Sequence, residues 1–143
     1  MLLSRDELTY RSPTSAPDGT PATQINAIAT HPSSPLLVSA HEDKFIRFFE
    51  LPSGKQTYVL PAHSDAVTSL AISPAPSSST LVSGGHDSSL RIWDLATKAF
   101  VQEITLHRRK NDQGVLAVAF GLDGRVMVSA GADGGVKVLT WVA

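Results

Sequence analysis

Apolar and polar residues alternate with a period of two through most of the chain. Leu90 and Ile92 alternate with Arg91 and Trp93, the pattern of a half-buried strand. Residues 66–72 repeat it, with Leu70 and Ile72 on one predicted face and Val67 and Ala71 on the other. The same reading predicts strands at 25–30, 36–40, 45–50 and 56–60. It continues with 80–83, 90–94 and 100–105, then 115–120, 125–130 and 136–141. The breaks between strands carry turn chemistry: His31 to Pro35 in the first stretch, residues 51–55 as a hairpin, the polar loop 74–79, and Asp123-Gly124. Gly84 and Gly85 are predicted to reverse the backbone before residues 90–94, with Asp87 in that turn accepting backbone N–H groups. Apolar residues nowhere recur at i, i+3, i+4, i+7 over a useful length, so no helix is predicted.

The strands come in repeating groups. Ser39 and Asp43, Ser83 and Asp87, and Ser129 and Asp133 each place Ser four residues before Asp. An aliphatic follows each Asp three residues later: Ile46, Leu90 and Val136. The three aspartates lie 44 and 46 residues apart, close to the roughly 40–45 residues of a WD repeat. Residues 90–94 close on Trp93-Asp94, the dipeptide that marks a β-propeller blade. The predicted fold is therefore all-β: a partial WD-repeat propeller of about three four-stranded blades, at about 24–60, 66–105 and 115–143. The last blade is predicted to lack its outer strand. Residues 1–23 read as a linker or partial outer strand, with 8–10 as a candidate strand and the Pro-rich stretch 12–22 as loop.

Composition narrows the function classes. The chain has 143 residues, 42% hydrophobic and 17% charged, ordinary for a globular domain. A net charge of −1 gives no overall pull toward nucleic acid or membrane surfaces. The absence of Cys excludes disulfides and thiolate metal sites. No apolar run approaches a transmembrane span, and the acidic pair in MLLSRDEL does not suit a signal peptide. Secretion is not expected.

His63, Ser83 and Asp87 have the residue types of a nucleophilic triad, with Trp93 beside them. A structural reading fits better. In blades of this pattern a His before the inner strand bonds the turn Asp, and a Ser and a Trp N–H complete the chain of bonds. Trp only donates, an ionised Asp only accepts, and Ser and His do both. A catalytic Ser also needs a strained, exposed turn, and no G-x-S-x-G is present. The other blades depart from the set. The first has Ser39 and Asp43 but Phe49 at the Trp position and Pro21 near the His position. The third has Ser129, Asp133 and His107, but Leu139 replaces Trp and four extra residues follow the His. Only the middle blade is expected to carry the full network. His31, His41, His86 and His107 read as scattered, solvated turn histidines with no metal-ligand spacing. No cofactor is expected.

Several segments together carry a resemblance. They are residues 21–26, His31-Pro32, residues 40–43 with Ile46-Arg47-Phe48, Ala62-His63 with residues 66–71, and residues 88–93. Val101-Gln-Glu-Ile-Thr105 followed by His107-Arg108, and residues 129–133, complete the set. From Thr20 onward the chain resembles the last three blades of the striatin family of WD-repeat scaffolds. Two departures are Gly121-Leu122 where the family has His-Pro, and the expanded loop 74–79. The resemblance implies a non-enzymatic scaffold, cytoplasmic or peripheral to internal membranes through partners. It would link a type-2A serine/threonine phosphatase to kinases and adaptor proteins. The family's coiled coil and about four blades are not in this sequence.

Partners are expected on the face built from turn and inter-blade loops, where Lys44, Asp65, Ser88, Arg108, Arg109 and Lys110 are predicted to project. His107 to Lys110 is the one basic run, and with the balanced net charge it does not suggest nucleic acid. Other readings are a WD-repeat adaptor such as a ubiquitin-ligase substrate receptor and, least favoured, a serine hydrolase. Three blades do not close a ring on their own, so self-association or completion by another chain is also expected.

Overall fold

The computed structural model describes residues 23–75 and 78–140. The readings placed on residues 1–22, on 76–77 of the expanded loop and on 141–143 lie outside it.

Eleven strands make up the described chain, in three antiparallel sheets. The first holds β1 (Ile25–Thr30), β2 (Leu36–His41), β3 (Phe45–Glu50) and β4 (Gln56–Pro61), in that order. The second holds β5 (Val67–Ile72), β6 (Thr80–Gly85), β7 (Ser89–Asp94) and β8 (Ala99–Thr105). The third has three strands among the described residues: β9 (Val115–Gly121), β10 (Val126–Gly131) and β11 (Val136–Thr140). The tight turn at Asp123-Gly124 is a single 3-10 turn, Leu122–Gly124, with Asp123 at φ 55°. β5 packs against β1 and β2 on one side and β9 on the other, so the leading strands of successive blades stand side by side.

Alternation along the strands sends side chains to two packed layers. Between the first and second blades, Val38, Ala40, Ile46, Phe48 and Leu60 meet Val67, Leu70, Leu81 and Trp93. Between the second and third, Val82, Leu90 and Ile92 meet Val115 and Met127, with Val118, Phe120 and Leu139 packed alongside. The middle blade is thus covered on both faces, the arrangement its near-continuous apolar strands suit.

The structure changes two details of the sequence reading. Val67 and Leu70 join one cluster instead of facing apart. The β5–β6 ladder shifts register between Val67 and Ser69, and a one-residue shift turns later side chains to the other face. The leading strands of the first and third blades shift in the same way. Gly84 and Gly85 are not the reversal but the paired end of β6, opposite Ser69 and Val67. The turn comes after them. Ser88 takes a left-handed φ of 69° and its N–H donates to Gly85 O at 3.1 Å. Lys44 (φ 80°) and Gly134 (φ 79°) fill the equivalent place in the other blades. Gly85 is small for a different reason: a Cβ there would lie 2.6 Å from His63 Nδ1.

Candidate functional site: the turn clusters and the loop face

The middle blade brings His63, Ser83, Asp87 and Trp93 together. His63 Nε2 lies 2.7 Å from Ser83 Oγ, and Nδ1 lies 3.0 Å from each Asp87 oxygen. Trp93 Nε1–H donates to Ser83 Oγ at 2.9 Å. One tautomer satisfies every member: Nδ1–H donates to Asp87, Nε2 accepts from the Ser83 hydroxyl, and Ser83 accepts from the indole. Asp87 also accepts from the Ser64 and Ser89 backbone N–H groups and from the Ser89 hydroxyl. Burial alone would raise the Asp87 carboxyl. The hydrogen bonds from His63 and Ser89 outweigh it and hold the group well below the usual carboxylate range. Ser83 and the His63 side chain are fully buried. With both neighbours committed, the Ser83 hydroxyl has no approach for a substrate.

The third blade holds three of the four members. His107 Nε2 lies 2.8 Å from Ser129 Oγ and Nδ1 lies 3.0 Å from Asp133. The extra residues do not move the His away, because they fold out as a small turn with Asn111 and Asp112 left-handed and Lys110 bridging Gln113. Backbone N–H groups of Arg108 and Gly135, then His107, hold the Asp133 carboxyl well below its ordinary range. Leu139 leaves Ser129 without an indole donor.

The first blade solves the same problem with different residues. Ser39 Oγ pairs with His41 Nε2 at 2.7 Å. Ser39 and His41 stand two apart on one strand, which places them on one face; that spacing was the signal for His41. Asp43 is taken by Arg47 in a two-pronged pair at 3.1 and 2.7 Å, and its backbone N–H donates to Thr23 Oγ1. His41 Nδ1 is buried with no hydrogen-bond partner. Burial, then the nearby Arg47 charge, pushes His41 down to about 4, against a smaller opposing pull from Asp43.

The histidines read as solvated therefore divide. His41 and His107 are buried, drawn in by serine partners. His31 Nδ1 accepts from the backbone N–H groups of Ser33 and Ser34, and His86 Nδ1 accepts from Gly114.

The loop-face residues also divide. Lys44, Arg108 and Lys110 are exposed. Arg109 pairs with Asp65 at 2.7 Å, tying the loop before the third blade to the loop before the second. Ser88 does not project: it is buried, because the left-handed turn draws it in under Gly114. Arg91, singled out only as a strand residue, donates to Ala62 O and pairs with Glu103 at 3.6 Å. Among the described residues, no group of three or more His, Asp or Glu could hold a metal ion, and no helix is long and apolar enough to cross a membrane.

The family described as WD domain, G-beta repeat, matches residues 13–50, 54–94 and 99–139. The second and third matched repeats are offset from the sheets by one strand. Residues 54–94 hold β4 with β5, β6 and β7, and 99–139 hold β8 with β9, β10 and nearly all of β11. The third repeat thus gives its first strand to the second sheet, which leaves three for its own. Striatin-3 of Homo sapiens is 46% identical over 114 residues, 80% of this chain and 14% of that protein. Striatin-4 of Homo sapiens is 47% identical over 116 residues, 81% and 15%. Striatin of Mus musculus is 43% identical over 115 residues, 80% and 14%. The chain spans about one seventh of the length of these curated relatives. From the three matched repeats and the blades they build, the chain belongs to the WD40 repeat family, and its repeats are similar to those of the striatins.

Proposed function

We propose that the chain is a non-enzymatic interaction scaffold that helps link a type-2A serine/threonine phosphatase to kinases and adaptor proteins in the cytoplasm. One observation carries the non-enzymatic part: the side chains with catalytic potential, His63, Ser83 and Asp87, bond one another inside a closed cluster. Similarity to the striatins supports the phosphatase link. The exposed loop cations Lys44, Arg108 and Lys110 offer a surface for acidic segments of partner proteins. Arg109 acts there through Asp65, holding the two loops in register.

The test is affinity capture from cell extract with the full chain and with Arg108→Glu/Lys110→Glu. The proposal expects type-2A phosphatase subunits with the parent chain and a loss of at least fivefold with the variant, at an unchanged melting temperature. Capture of ubiquitin-ligase adaptors in place of phosphatase subunits would overturn the link. Equal recovery by both chains would overturn the assignment of the face.

A further inference from the structure

We propose that the outer rim between the first and second blades is a docking cleft for an extended, acidic segment of a partner protein that carries a large apolar side chain beside a carboxylate. Two blades build the cleft. Phe48 and Tyr58 of the first meet edge to face with ring centres 5.9 Å apart, and Trp93 and Phe100 of the second do so at 5.7 Å. Lys98, in the turn between β7 and β8, reaches across: its Nζ lies 5.3 Å from the Phe48 ring centre and 5.9 Å from that of Tyr58. Phe48 and Trp93 form a buried floor, while Tyr58 is 43% and Phe100 53% exposed. β4 and β8 are the outer strands of their sheets, so both exposed rings stand at the rim.

The fold does not require these residues there. The ladders of the two blades align place by place. Phe100, opposite Trp93, holds the place of Gln56, opposite Phe49. Tyr58, opposite Phe48, holds the place of Gln102, opposite Ile92. Lys98 stands two residues before Phe100, as Gly54 does before Gln56, and both take a left-handed φ, 59° and 70°. Glutamine and glycine thus serve at the same places where they do not face this cleft. A lysine held in a conformation that favours glycine, beside exposed aromatic area, marks a binding surface.

Charge sets the chemistry of the occupant. Lys98 Nζ donates to Leu95 O at 2.9 Å and, among the described residues, pairs with no carboxylate. The nearby Asp94 is taken by the Ser79 hydroxyl and by the backbone N–H groups of Ala96 and Thr97. Glu103, on the same face of β8 as Phe100, pairs with Arg91. The cleft therefore offers one cation with N–H groups to spare, next to two half-exposed rings. An incoming carboxylate meets Lys98, and an apolar side chain covers Tyr58 and Phe100. An extended segment turns alternate side chains to one side, so one can meet the rings and the next but one the ammonium. The Lys98 turn lies at the other end of β7 from the Ser88 turn, away from the loop cations, so the inference is independent of the phosphatase link.

Selection from a displayed library of random twelve-residue peptides on the full 143-residue chain tests it, with the double variant Phe100→Ser/Lys98→Glu as second bait. Peptides enriched on the parent should share Phe, Trp, Leu or Ile within three residues of an Asp or Glu. They should bind the double variant at least tenfold more weakly. A library that yields no such peptides, peptides whose shared residues are basic, or peptides that bind both chains equally would overturn the proposal. If the double change unfolds the chain, Lys98→Gly removes the cation and relieves the left-handed turn. It should weaken the same peptides at least fivefold with an unchanged circular dichroism spectrum; unchanged affinity would overturn the proposal.

Discussion

His63 and His41 sit in neighbouring blades, and each places Nε2 2.7 Å from a buried serine hydroxyl. They differ at the other ring nitrogen. His63 Nδ1 meets a carboxylate that is itself held by several donors. His41 Nδ1 meets nothing, and the charge beside it is the Arg47 guanidinium. In the middle blade the aspartate orients the histidine, and the histidine orients the serine for the indole. In the first blade the aspartate serves the arginine instead, and the histidine is kept neutral. A Ser, a His and an Asp in similar places thus give two electrical arrangements, decided by where the arginine opposite the serine turns: Arg47 to Asp43, Arg91 to Ala62 O and Glu103.

The largest effect should come from Trp93→Ala, which removes a buried ring and leaves Ser83 without its donor. A loss of about 3–5 kcal/mol is expected in urea unfolding, and Leu139→Ala, at the half-buried equivalent in the third blade, should lose clearly less. Equal losses would erase the distinction between these blades. Asp43→Ala should cost about 3 kcal/mol, because it leaves the Arg47 side chain, 5% exposed, without its counter-charge. Asp87→Ala should cost about 1–3 kcal/mol, because it leaves the His63 N–H only the Ser89 hydroxyl and takes the side-chain acceptor from the Ser64 and Ser89 backbone N–H groups. A smaller loss for Asp43→Ala than for Asp87→Ala would mean that the Arg47 pair is dispensable.

pH sharpens the same contrast. His41 titrates near 4 in the fold and near 6.5 when unfolded, so between those values the unfolded chain binds more protons. Stability should therefore decline as pH falls from 6.5 toward about 4, and His41→Gln should flatten that stretch of the urea midpoint profile. Asp87 also loses proton affinity in the fold, there because its charged form is favoured, so its effect on stability has the same sign. Its depressed value stabilises the fold above its ordinary 3.8 and is lost as pH falls below that. The smallest expected effect is Ser88→Gly. It relieves a left-handed φ of 69° and removes a buried hydroxyl without a partner. A gain of up to about 1 kcal/mol is expected, read as a shift of the urea midpoint; a loss would show that Ser88 serves the turn.

Much of this was legible in the chain because β structure writes itself with a period of two. Strand positions, the Ser-to-Asp spacing and the residue set His63, Ser83, Asp87, Trp93 all follow from local pattern. What escaped depends on register and on space. The shift at Val67 reverses a face without altering composition. Gly85 looks like a turn residue, yet it is small to admit an imidazole that comes from 22 residues earlier. By sequence His107 fits both a network member and a solvated turn histidine, because its distance from β9 hides a loop that folds outward. Arg47 and Arg109 chose partners, Asp43 and Asp65, that no spacing rule singles out.

The central claim is that His63 and Asp87 act as one structural unit and not as reacting groups. A double-mutant cycle on His63→Ala and Asp87→Ala, followed by urea unfolding, addresses it most directly. The account predicts a coupling of about 1–3 kcal/mol between the two positions. Additive losses, with no coupling, would contradict it.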